Sequence, residues 1–220
     1  MRSSGFIVAI ALITMAWAGM ANGSLIGYWH FNDGNLTVDE GAGTLTLSPN
    51  MVLNTNYAFF SGDTLNARPS IVAGDALVVA PSNTEGLGNG VTWTQFEVNT
   101  SAYEDLIMTF ATYRNTTDSF NSVQVLYSTD GSSFTNFGSP YNPAGTAFEL
   151  KTFDFSSIPA LDNDASVYVR LTFSGATSFG LSRRHGIDNV QFNATEVPEP
   201  AALGLVGAMA LLAVRRRLAR

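Results

Sequence analysis

The sequence predicts an all-β protein, an antiparallel β-sandwich of jelly-roll type, on three observations. Along residues 24–195 apolar and polar residues alternate with a period of two rather than 3.6, as half-buried strands do. β-Branched and aromatic residues dominate these runs, and Gly, Asn, Asp, Ser and Pro fill the gaps between them. No stretch of the region offers an amphipathic helix. Many short strands separated by turns indicate two packed antiparallel sheets, and the length favours a jelly roll over a seven-stranded immunoglobulin fold. The chain has no cysteine, so the core must hold without disulfides. Residues 24–195 suffice for one such domain, which would bury roughly 70% of its unfolded surface.

The strands expected in chain order begin with Leu25–Phe31, Thr44–Leu47, Ala76–Val79 and Val91–Val98. Leu106–Tyr113, Ser122–Tyr127, Phe134–Phe137, Phe148–Phe155, Val167–Phe173 and Ile187–Phe192 follow. One hairpin can be placed outright. Val123–Ser128 alternates, Thr129-Asp130-Gly131-Ser132-Ser133 turns, and Phe134–Phe137 returns. Asp-Gly marks the turn because glycine accepts positive φ and the aspartate side chain bonds the backbone of its own turn. The stretch resembles the Asp-box hairpin of sialidases and other secreted β-proteins, with one residue fewer between Asp130 and Phe134. That motif is structural in those proteins. The segments GYWHFND (27–33), YSTDGSSF (127–134) and HGIDNVQF (185–192) occur in an order that resembles discoidin, MAM and carbohydrate-binding jelly-roll ectodomains.

The two ends carry a different message. Residues 1–23 combine an early cation, Arg2, an apolar run from Gly5 to Trp17, and small residues at Gly19-Met20-Ala21 or Ala21-Asn22-Gly23. These are the three parts of a cleaved signal peptide. The alternative is a retained anchor, for which the apolar run falls short of the ~20 residues a spanning helix needs. At the other end Ala201–Val214 is uncharged and is followed by Arg215, Arg216 and Arg217. As a helix at ~1.5 Å per residue it covers about 21 Å of a ~30 Å hydrocarbon core, a marginal single span. The arginines place the extreme C-terminus on the cytoplasmic side. With Pro198, Glu199 and Pro200 just before it, this tail resembles the PEP-CTERM sorting signal of Gram-negative bacteria over residues 196–220. The resemblance implies an exosortase-type processing enzyme as partner and membrane anchoring before processing. It also implies a destination in the cell envelope or the exopolysaccharide matrix of a biofilm.

Between the ends sixteen acidic side chains stand against six basic ones, which excludes nucleic acid as a partner because nothing could neutralise a run of phosphates. His30, between Trp29 and Phe31, reads as a structural histidine, and His185, after Arg183 and Arg184, as part of a solvated loop. Two such histidines without cysteine do not make a zinc site. No G-x-S-x-G elbow precedes a helix, and Asp39-Glu40, Glu104-Asp105, Asp162 and Asp164 all fall in expected turns, so neither triad nor paired-carboxylate chemistry is indicated. No cofactor is required. A structural calcium is the candidate ion, since the jelly-roll resemblance implies one tying a loop near the first strand to an aspartate near the last. Asp33, Asp39 and Asp188 fit that layout. Among the aromatics, Trp93, Tyr103, Tyr113 and Tyr141 could stack on sugar rings. Trp93 alternates with polar neighbours and reads as core, whereas Tyr141, in Ser139-Pro140-Tyr141-Asn142-Pro143, reads as the best exposed ligand contact. The first expectation is therefore an exported, non-enzymatic envelope or matrix protein. A carbohydrate-binding module is the alternative, and a polysaccharide-modifying enzyme a more distant one.

Overall fold

The structure, a computed structural model, describes residues 23–197 except 84 and 144. The expected signal peptide, Pro198, Glu199, Pro200, the expected C-terminal span and Arg215, Arg216 and Arg217 lie outside the described residues. The strands are β1 (Ser24–Trp29), β2 (Glu40–Gly41), β3 (Thr44–Leu47), β4 (Tyr57–Ser61), β5 (Asp75–Val79), β6 (Thr92–Val98) and β7 (Tyr103–Arg114). Then come β8 (Ser122–Ser128), β9 (Thr135–Tyr141), β10 (Glu149–Asp154), β11 (Val167–Ser174) and β12 (His185–Glu196). One short helix, α1 (Pro49–Leu53), follows β3, with its proline in the first turn, where a missing N–H costs nothing.

All pairings are antiparallel and form two sheets. One runs β10-β7-β12-β1-β2, with β5 also against the first residues of β12 and β4 outside β5. The other runs β3-β6-β11-β8-β9. The expected sandwich of jelly-roll type is thus present. Two strands and the α-helix escaped the sequence pattern. β2 is two residues long, α1 is a single turn, and the partly buried β4 (YAFFS) shows no alternation.

The sheets meet over a core in which Trp29 from β1, Phe192 from β12 and Phe96 from β6 form one aromatic cluster. Trp29 stands edge-on to Phe96 at 5.2 Å and to Phe192 at 6.0 Å between ring centroids. Such pairs add about 0.5–1.5 kcal/mol each beyond the area they bury, and here they lock the opening strand, the closing strand and the facing sheet together. The Trp29 indole N–H donates to the Leu36 carbonyl at 3.2 Å, so the buried ring leaves no polar atom unpaired.

Candidate functional site: the open face of the five-stranded sheet

Strict alternation places two rows of side chains on the outer face of this sheet. On β6, Thr92, Thr94, Phe96 and Val98 are buried, so Trp93, Gln95 and Glu97 point outward and are half-exposed. On β11, Val167, Val169, Leu171 and Phe173 are buried, so Tyr168, Arg170, Thr172 and Ser174 point outward. The register sets Arg170 between Gln95 and Leu126, Thr172 between Trp93 and Gln124, and Tyr168 opposite Glu97.

The centre of this face is a stack. The Arg170 guanidinium carbon lies 4.2 Å from the ring centre of Trp93 and 3.6 Å from that of Phe134, which reaches over from the β8–β9 turn. Gln95 Oε1 accepts from both Nε and Nη2 of Arg170, which fixes the plane of the fork. Burial lowers the pKa of the arginine, but a guanidinium stays charged at any working pH. Beside it the Tyr168 hydroxyl donates to Glu97 at 3.2 Å, and the Thr44 hydroxyl donates to the other Glu97 oxygen at 3.2 Å. The β8–β9 turn is built as its sequence predicts. Asp130 Oδ1 accepts from the Ser132 and Ser133 amides at 2.8 and 2.7 Å and from the Ser128 hydroxyl at 2.9 Å, which holds its carboxyl below the usual carboxylate range. Gly131, at φ +68°, lies against the Tyr168 ring, where a Cβ would come within 3.1 Å.

Two of the four aromatics named from the sequence, Trp93 and Tyr141, exchange places. Trp93 is on the open face and not in the core, because Phe96 and Val98 set the inward phase of β6 and Trp93 falls on the opposite one. Tyr141 is not exposed. β9 runs on to Tyr141, with Pro140 tolerated because this is an edge strand, and the register puts Phe137 and Tyr141 opposite the buried Val125 and Val123. Its ring packs 6.2 Å from Phe110 and 5.8 Å from Phe153, and burial pushes its hydroxyl pKa well above the ordinary tyrosine value. His185 is likewise not in a solvated loop. It opens β12, fully buried, with Nε2 2.9 Å from the Thr112 hydroxyl, and burial drives its pKa down to about 4. His30 pairs with Asp39 at 3.1 Å and accepts from the Asn32 amide through Nδ1.

Asp33, Asp39 and Asp188 do not come together around one ion. Asp39 is held by His30, Asp33 is exposed and closes a local turn onto Asn35, and the charged neighbours of Asp188 are Asp63 and Asp75. No group of three metal-ligating side chains converges among the described residues. Asp188 sits instead at a bulge in β12, where loop 62–74 covers the strand. Its Oδ2 accepts from the Asp63 amide and its Oδ1 from the Asn189 amide, both at 2.8 Å. A side chain at Gly62 would collide with the Asp188 carboxylate. Asn189, at φ +50°, accepts from the Tyr28 hydroxyl at 2.7 Å and donates to the carbonyls of Asp63 and Leu65. Burial raises the Asp188 pKa to about 7 and that of Tyr28 to about 12. This polar knot ties the loop to the closing strand. Asn66, Gln191 and Tyr28 were not foreseen in it, because a loop folding over a strand leaves no periodic trace.

Comparison with known proteins gives the fold. No protein-family model and no curated protein matches the chain. Among solved structures, the N-terminal CBM22-1-CBM22-2 tandem domain of Paenibacillus barcinonensis Xyn10C matches with a TM-score of 0.50 at 10% identity, over 81% of this chain and 47% of that one. This chain thus spans about half the length of that tandem. The K1 cleaved adhesin domain of Lys-gingipain from Porphyromonas gingivalis W83 follows with a TM-score of 0.48 at 11% identity, over 79% of this chain and 99% of that one. TmCBM61, solved with β-1,4-galactotriose, gives 0.44 at 8% identity, over 75% and 94%. The structural neighbours of this β-sandwich include jelly-roll carbohydrate-binding modules.

Proposed function

We propose that residues 24–195 form a non-catalytic carbohydrate-binding module that meets its polysaccharide with the open face of the β3-β6-β11-β8-β9 sheet. The observation that carries this reading is the composition of that face. Fixed hydrogen-bonding side chains, Gln95, Gln124 and Arg170, lie in register with Trp93 and Tyr168 on a rigid, half-exposed sheet. A sugar presents hydroxyl edges and apolar C–H faces, and a site for it needs oriented polar groups beside aromatic surface. The fold likeness to the CBM22 tandem supports the reading. On a panel of immobilised polysaccharides, the full chain in detergent should be retained by at least one. Trp93→Ala with Tyr168→Ala should weaken that retention about tenfold or more, while Asp105→Asn on the other sheet should leave it unchanged. Equal retention of all three proteins would remove the open face as the site.

The same chain is, in this proposal, exported through residues 1–23 and sorted through residues 196–220 by an exosortase-type enzyme to the cell envelope or extracellular matrix of a Gram-negative bacterium. What supports this is the order of Pro198-Glu199-Pro200, an apolar stretch and Arg215-Arg216-Arg217 at the end of the chain. Pro198→Ala with Pro200→Ala should leave export intact and block removal of the tail, seen as a larger band in membrane immunoblots. A mutant that matures to wild-type size would dismiss the motif as the processing signal.

A further inference from the structure

The open face carries a cation that no carboxylate among the described residues balances. Arg68 pairs with Glu40 at 2.9 Å, Lys151 with Glu149 at 3.2 Å, and Arg183 faces Asp118 at 3.9 Å. Arg170, like Arg114 and Arg184, has no carboxylate partner among the described residues, but of the three it alone stands on the open face. Glu97, the acid two residues along β6 from Gln95, is taken by Tyr168 and Thr44. Both faces of the guanidinium are covered, by Trp93 and Phe134, and the Nε side is held by Gln95. What remains unspent is the Nη1 edge, for which no hydrogen-bond partner exists among the described residues.

We propose that this edge is a carboxylate receptor, and that the polysaccharide taken by the open face is anionic, built with uronic acid units. The inference rests on the reading of the face as a sugar-binding surface and adds the charge of the ligand. A planar guanidinium edge matches a carboxylate with two parallel N–H···O bonds, which a point charge cannot reproduce. The stacking rings and Gln95 hold the fork in one orientation before the ligand arrives, so little ordering entropy is lost on contact.

The test varies the ligand before the protein. Binding of the full wild-type chain in detergent is measured to polygalacturonate and alginate, to the fully esterified form of each, and to neutral xylan and dextran. The expected result is at least tenfold tighter binding to an acid form than to its ester, with affinity falling as salt rises. Arg170→Gln should erase the preference, and Arg170→Lys should restore less than half of it, both with wild-type near-ultraviolet circular dichroism. Equal binding of acid and ester, or binding of neutral chains alone, overturns the anionic ligand and leaves the sugar-binding reading standing. Binding of nothing in the panel overturns both. Should Arg170→Gln fail to fold, the acid-to-ester comparison on wild-type protein decides alone.

Discussion

β11 and β12 are both central strands of their sheets, and they are buried in opposite styles. From Val167 to Ser174 every second residue of β11 is buried and the others are half-exposed. From His185 to Val190 all six residues of β12 are buried, three of them polar. The difference lies in what covers the outer face. Water solvates the outward row of β11. At β12, loop 62–74 takes the place of water, so each polar group there needs a protein partner of its own. A covered face converts side chains that would be interchangeable on the surface into structural necessities.

The contrast makes measurable claims. The largest effect is expected at Asn189, where alanine removes the acceptor of the buried Tyr28 hydroxyl and both donors to loop 62–74, and places a Cβ residue other than asparagine at positive φ. About 3 kcal/mol should be lost, lowering the melting temperature by roughly 6–12 °C. A loss below about 1 kcal/mol would mean that loop 62–74 is not held through β12.

The next effect is in pH. Asp188 has a folded pKa raised to about 7, so it contributes stability at low pH that is lost as pH rises from its unfolded value, near 3.8, through 7. His185 has a folded pKa lowered to about 4, so it contributes stability above 6.5 that is lost as pH falls through 4. Between about pH 4.5 and 6.5 the two slopes oppose each other and the contribution of β12 is nearly flat. Asp188→Asn leaves the His185 slope alone, and the variant should lose about 2 kcal/mol relative to wild type on going from pH 6.5 to 4.5 in denaturant titrations. Parallel profiles for the two proteins would show that Asp188 does not titrate in this range. The smallest effect belongs to the other strand. Thr172→Ala, on the open row of β11, should change stability by only about 0.5 kcal/mol at any pH.

The same contrast explains what could be read from the sequence. Val167-Tyr168-Val169-Arg170-Leu171-Thr172-Phe173 declares its strand, its inner face and its outer face at once, and the two sheets follow from several such runs. The open face was present in that pattern but was misread, since Trp93 was assigned to the core and Arg170 was not singled out. Phe96 and Val98 point Trp93 outward, and the phase of β11 does the same for Arg170. Tyr141 was illegible because its inward direction depends on a bulged register between β8 and β9, with Phe137 and Tyr141 both facing buried valines. His185 was illegible because Ser182-Arg183-Arg184-His185-Gly186 is polar throughout, and its burial comes from β5 and β7 on either side. For Asp33, Asp39 and Asp188, chain order does not say that His30 takes one and a backbone turn another.

Pairing of Ser24 with Ala194 in the β1–β12 ladder puts the beginning and the end of the domain side by side, and the Ser24 hydroxyl donates to Glu196 at 2.9 Å. β12 ends at Glu196 and is clasped by β7 along one edge and by β1 and β5 along the other. Antiparallel hydrogen bonds stand perpendicular to the strand, so traction applied beyond Val197 along the axis of β12 strains both ladders sideways and all at once instead of opening them one bond at a time. Mechanically, this domain is gripped by its spine and not by its rim: a load applied at Val197 meets shear resistance from the middle of a sheet, and the face that carries Arg170 belongs to the other sheet, away from the line of force.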